Sequence, residues 1–147
     1  MAEGNHRPRI LVDDRQDAAL PIEALVALAS ETLLGEGVGH AELSLSFVTE
    51  EEIAGLHERY MGEPGPTDVL SFPLDEDDVD EEGVRILGDV VIAPAVAEGN
   101  NPQDRDGELR LLVVHGILHL LGHDHLEVIE KTAMWAKQER YTGMQVR

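Results

Sequence analysis

The chain has 147 residues, 42% of them hydrophobic, a formal net charge of −19 and no cysteine. That length and apolar content suit one domain with its own core, and the missing cysteine excludes disulfides and thiolate ligands, leaving histidine and carboxylate for any metal. The acidity repels nucleic acid at long range, so DNA is not an expected partner and any RNA must be taken by a local site; no membrane is expected either, for want of a spanning segment.

Residues 1–8 are polar and read as a flexible start without the apolar stretch of a signal peptide. No apolar run approaches the roughly 18–20 residues that cross a bilayer. The expectation is a cytoplasmic protein. Arg9 to Asp13 reads as a short strand. Pro21 suits the first turn of a helix, whose apolar stripe runs from Ile22 to Leu34 and stops at Gly35 and Gly37. Leu43, Leu45 and Phe47 alternate with serines, which predicts a half-buried strand. Thr49 with Glu52 three residues on is a capping-box pattern. It opens a helix to about Tyr60, with Ile53, Leu56 and Tyr60 facing inward.

A Gly/Pro loop follows, and Asp68 to Phe72 predicts a strand stopped by Pro73. Asp75 to Glu82 is an acidic loop. Arg85 to Ala93 predicts another strand, ended by Pro94, and Gly99 to Gly107 a polar break. Glu108 to Leu121 predicts a strongly apolar helix ended by Gly122, and Leu126 to about Tyr141 a final helix. The order β-α-β-α-β-β-α-α gives an α+β fold: a small mixed sheet packed against helices in a single domain over residues 1–147.

The densest chemistry is H-G-I-L-H-L-L-G-H-D-H, from His115 to His125. His115 and His119 are four apart, so on a helix both imidazoles stack on one face. Gly122 can take the left-handed conformation that ends a helix and turns the chain back towards its own end. His125 then becomes a third ligand, and three imidazoles with open positions describe a catalytic metal site at the end of a core helix. The competing reading, core or capping histidines, fits poorly, because buried histidines are hydrogen-bonded singly. One Zn2+ per chain is expected, with nickel or copper compatible with the same donors. The spacing matches that of zinc metalloproteases, but Gly116 stands where their general-base glutamate would be. His123 is a fourth ligand, a proton carrier or an exposed side chain, and Asp124 either orients a ligand imidazole or caps the turn. These two are weak catalytic candidates. His6, His40 and His57 have no partner spacing and read as structural or surface.

The motif closely resembles the signature of the YbeY family of bacterial endoribonucleases and rRNA maturation factors. P-T-D-V-L-S-F-P at Pro66 to Pro73 and L-G-D-V-V-I-A-P at Leu87 to Pro94 are similar to its other hallmarks, in the same order and spacing. The resemblance covers about Ile10 to Tyr141. It implies a metal-dependent endoribonuclease acting on single strands in 16S rRNA 3′-end maturation and ribosome quality control. It also implies an α+β fold with the metal at the base of a cleft, held by His115, His119 and His125. Two positions depart from the family. Met61 stands where the family often has an arginine tied to activity, and His123 where a tyrosine is usual. Arg59 lies on a different helical face.

In the second hallmark, Ser71 presents a hydroxyl, and the strand can pair with an extended substrate if it lies at an edge. A buried strand is an equal alternative. Asp89 either faces the cleft or forms an ion pair. Two other functions compete: a different metal-dependent hydrolase, and a non-catalytic ribosome-assembly factor with a structural metal. The partners expected are rRNA and the small ribosomal subunit, with a ribosomal protein and a ribosome-assembly GTPase as further ones. Basic ribosomal proteins are attracted by an acidic surface. If the chain handles RNA, its bases should gather at the metal: Arg59, Arg105, Arg110, Lys131, Lys137 and Arg140 are the candidates. The acids of the Asp75 to Glu82 loop should point away.

Overall fold

Four strands, β1 (Arg9–Asp14), β2 (Ala41–Phe47), β3 (Val69–Pro73) and β4 (Arg85–Ile92), form one sheet in the order β1-β2-β4-β3. The computed structural model describes residues 7–75, 78–122 and 136–143. β1 and β4 run parallel to β2, while β3 is antiparallel to β4 and lies at an edge. The sheet is therefore mixed and the fold α+β, as the order of predicted elements requires.

Strand alternation sorts residues between two faces. Leu43, Leu45 and Phe47 of β2 and Val90 and Ile92 of β4 join one core. Helices α1 (Ile22–Gly35) and α4 (Arg105–Leu120) cover that face through Leu25, Leu33, Leu109, Val113 and Ile117. Leu70 and Val91 turn the other way, onto Ile53 of α2 (Glu50–Met61), with Leu56 and Phe72 partly buried beside them. α2 covers only part of this second face, and Asp89 stays exposed on it.

The helix ends follow local chemistry. The Glu52 N–H donates to Thr49 Oγ1 at 3.1 Å, so the capping pattern closes α2 as read. Tyr60 does not face inward: it is 58% exposed, and its ring meets Phe72 edge-on at 5.4 Å. α2 seats itself on Ile53 and Leu56, and its last turn lies beyond that packing.

Two boundaries were misplaced by sequence. Pro94 ends β4, but it also opens a short helix, α3 (Pro94–Asn100), where no helix was expected. Proline at the first helical position has no N–H to leave unpaired, so one residue serves both purposes. α4 begins at Arg105, three residues before the expected Glu108, because the Asp104 carboxylate accepts the Gly107 N–H at 3.0 Å. At its far end Gly122 has a φ of 98°, the predicted left-handed terminus. Residues 136–142 are helical, matching the end of the predicted final helix, whose earlier part lies outside the described residues.

α4 is apolar on nearly every side because it has neighbours on nearly every side. Its sheet-facing residues join the main core, while Val114 and Leu118 pack with Leu28 of α1 and with Tyr141. Between Leu112 and Leu120 only His115 and His119 are not buried.

Candidate metal centre

The two half-open positions of this buried helix carry the first two predicted ligands. The His115 and His119 rings lie one turn apart, with centroids 4.7 Å from each other and planes tilted by 48°. The helical spacing thus brings them together as expected. His125, His123 and Asp124 lie outside the described residues.

One imidazole has its orientation fixed by a residue that sequence reasoning missed. His115 Nδ1 lies 2.7 Å from Gln138 Oε1, and Gln138 is 2% exposed. An amide oxygen only accepts, so this bond places the proton on Nδ1, the tautomer in which Nε2 carries the lone pair. Ligand histidines are commonly held this way, by an acceptor on the other ring nitrogen. A neutral imidazole with a defined tautomer, and a second imidazole on the same helix face, fit a divalent metal of the zinc type. No periodicity could have revealed Gln138, since it comes from a separate helix.

Two cavities meet at His115. One, of about 190 Å3, is lined by Met61, Val69, Leu70, Ser71, His115 and His119. The other, of about 320 Å3, includes Asp68, Val69, Glu108, His115 and Gln138 in its wall. The histidines therefore look out beside the edge strand β3, which resolves the choice between edge and buried strand in favour of the edge. Ser71 has a structural task as well: its hydroxyl donates to the Gly116 carbonyl at 3.0 Å and ties β3 to α4.

Position 116 cannot supply a base. A Cβ on Gly116 would come within 2.5 Å of Val90 Cγ1 and 3.4 Å of Ser71 Oγ. The helix needs glycine there to sit close on β3 and β4, and any side chain would enter the sheet.

The charge expectation is reversed. Among the described residues no lysine or arginine lines either cavity, whereas Asp68 and Glu108 line one. The candidate bases are engaged elsewhere. Arg105 bonds the Ala19 carbonyl at 2.8 Å and pairs with Asp106, and Arg110 donates to the Thr142 carbonyl. Lys137 pairs with Glu36 at 2.6 Å, and Arg140 and Arg59 lie over Tyr141 and Tyr60. Lys131 lies outside the described residues. Arg105, Arg110 and Lys137, which could have carried charge to the histidines, instead tie helix ends to neighbouring segments. Part of the acidic loop does turn elsewhere, since Asp80 and Glu82 reach Arg9 on β1 at 3.8 and 3.7 Å. Two bonds from the Val84 and Glu82 N–H groups, with Arg9 nearby, hold the Asp80 carboxyl below its usual range despite some burial.

Asp89 neither reaches the histidine cavities nor forms an ion pair among the described residues. It lines a different cavity, on the second face of the sheet. The pleat explains this, because its neighbour Val90 points to α4 and residue 89 must point away. His57 is structural as read, with Nδ1 2.9 Å from the Gly65 carbonyl, and His40 sits with Arg7 and Arg9. His6 lies outside the described residues.

A family model described as endoribonuclease YbeY matches residues 5–144. The chain belongs to the YbeY family. A YbeY endoribonuclease of Acidothermus cellulolyticus is 53% identical over 113 residues, covering 67% of this chain and 66% of the relative. One from Salinispora tropica is 41% identical over 147 residues, covering 89% and 92%. The chain spans 61% of the length of a Frankia alni relative and 55% of a Frankia casuarinae one. A solution structure of a Thermotoga maritima protein superposes with a TM-score of 0.61 at 31% identity, covering 90% of this chain and 86% of that one. Within the YbeY framework, Met61 lies where the resemblance puts the family's arginine, and it does line the histidine cavity.

Proposed function

We propose that this chain is a metal-dependent, single-strand-specific endoribonuclease acting in 16S rRNA 3′-end maturation and ribosome quality control in the cytoplasm. The observation that carries the reading is the His115–His119 pair at the open end of α4, beside edge strand β3, with Gln138 setting the tautomer of His115. His115, His119 and His125 would hold one divalent ion, zinc first and nickel next. Bound there, it supplies Lewis acidity towards a phosphoryl oxygen and positive charge in an acidic wall. Gln138 keeps the Nδ1 proton in place. Val69 gives the site an apolar wall, and the outer edge of β3, unpaired among the described residues, can align an extended strand. Met61 contributes no charge, so transition-state stabilisation falls to the metal and to groups other than an arginine at this position. Among the described residues no helix is long and apolar enough to cross a membrane.

The acidic wall favours a second reading: a ribosome-assembly factor with a structural metal, recruited by a basic ribosomal protein or an assembly GTPase on the small subunit. Cleavage of single-stranded and duplex 16S 3′-end RNA, with and without chelator, separates the two. The nuclease reading expects cutting of the single strand only, abolished by chelator and by His119→Ala. Absence of cutting by the metal-loaded protein, together with binding to assembling small subunits, would establish the second.

A further inference from the structure

On the second face of the sheet, across β3 from the histidines, lies a cavity of about 470 Å3 lined in part by Asp13, Arg15, Ser46, Tyr60, Phe72 and Asp89. Aromatic side chains are only 3% of this chain, with two tyrosines, two phenylalanines and one tryptophan. Two of these five stand in this one wall. Tyr60 is 58% exposed, a poor use of a large ring unless something covers it. Arg15 is already paired, to Glu52 at 2.7 Å and Asp13 at 3.2 Å. Asp89 is exposed on a central strand with no ion pair among the described residues.

We propose that this cavity is a subsite for an unpaired guanine base, next to the nucleotide cut at the metal. The inference rests on the ribonuclease reading above. Excess carboxylate keeps phosphate out, so the part of a nucleotide that enters is its base. Tyr60 offers an aromatic surface, and bases of single-stranded RNA are commonly held by stacking on such rings. The Asp89 carboxylate accepts hydrogen bonds only. Guanine alone presents two adjacent donors, N1–H and N2–H2, on its Watson–Crick edge. Adenine and cytosine place an acceptor beside their amino group, and uracil flanks its single donor with carbonyls. In a duplex that guanine edge is already paired, so the subsite itself selects single strands.

The chain path supports the link to the metal. Tyr60 and Met61 are consecutive, and so are Ser71 and Phe72. The first pair sends one residue to each cavity. Ser71 bonds α4, whereas Phe72 joins the wall below Tyr60. An RNA strand crossing the β3 edge therefore meets both. Arg59, with Cζ 5.9 Å from the Tyr60 ring centre, puts a cation beside the ring on which the base would stack.

The test uses full-length, metal-loaded protein and uncleavable 2′-O-methyl uridine octamers carrying one central guanine, adenine, cytosine or no substitution, with binding followed by fluorescence anisotropy. The guanine octamer should bind about tenfold tighter than the all-uridine one. Asp89→Asn should remove that preference, and Tyr60→Ala should weaken guanine binding about tenfold. His119→Ala should keep the preference while losing cleavage of the matching all-ribose guanine octamer, which separates this subsite from the metal site. A preference with no cleavage of the all-ribose octamer by wild type would retain the subsite and overturn the ribonuclease reading. Equal binding of all four octamers, or a guanine preference that survives Asp89→Asn, overturns the proposal. So does Asp89-dependent binding of a lysine-rich peptide with no base preference, which would make this face a protein-docking surface.

Discussion

Gln138 would make a metal centre at His115 depend on a side chain that is not a ligand. Replacing it with leucine removes the acceptor for His115 Nδ1–H and frees the imidazole to rotate or change tautomer. Gln138→Leu should lower metal affinity about 10- to 100-fold, whereas Gln138→Glu keeps an oxygen in place and should retain most of it. Competition with a chromophoric chelator measures both. Gly116 depends on the sheet in a different way. Gly116→Ala gains about 1 kcal/mol of helix propensity but forces a methyl to 2.5 Å from a stiff, packed Val90. Overpacking costs about 1–3 kcal/mol, so the variant should be less stable by denaturant melt. Combining it with Val90→Ala should remove much of that penalty, as a double-mutant cycle would register. At this scale the sequence showed what periodicity shows: His115 and His119 on one helix face, and glycine where the chain turns. It did not show Gln138, because a partner from another helix leaves no local pattern. Nor did it show that Asp89 and His115 belong to different cavities, since that is fixed by which face of the pleat each element covers.

Helix ends hold the centre in register. Glu36, at the end of α1, accepts from Lys137 and from the Tyr141 hydroxyl, each at 2.6 Å, on either side of Gln138 in sequence. The last helical segment is thereby clamped to α1, and the amide that orients His115 is clamped with it. Burial, then the hydrogen bond and charge of Glu36, push the Tyr141 phenol up to about 12 from 10.0. The sign follows from linkage. The folded state holds this proton more tightly than the unfolded one, so the stabilisation is complete below pH 10 and is lost as pH rises towards 12. Wild type should lose stability over that interval more steeply than Tyr141→Phe, as urea melts at stepped pH would record. Sequence patterns located the strands and the long helices because alternation and helical stripes are strong signals. They missed α3 and the first turn of α4, where Pro94 and Asp104 each act at a boundary where no helix was expected.

Across the whole molecule, the net charge of −19 and the acidic wall of the histidine site would set how any RNA is approached on the nuclease reading. Few phosphates can be neutralised, so binding of single strands by the isolated protein should be weak, with a shallow salt dependence of about 0.7 in log K per phosphate contact. A steep slope from salt titrations would reveal a basic surface outside the described residues. The link between His115 and Gln138 has a temporal consequence too. During synthesis the sheet and α4 leave the ribosome first, and the side chain that orients His115 follows 23 residues later. Chains fold from the N-terminus as they emerge. A nascent chain stopped between those two points carries the sheet and the first two histidines, yet its leading imidazole is unheld. On the nuclease reading, a chain stopped there would lack a fully oriented metal site, so cutting would await the segment that carries Gln138.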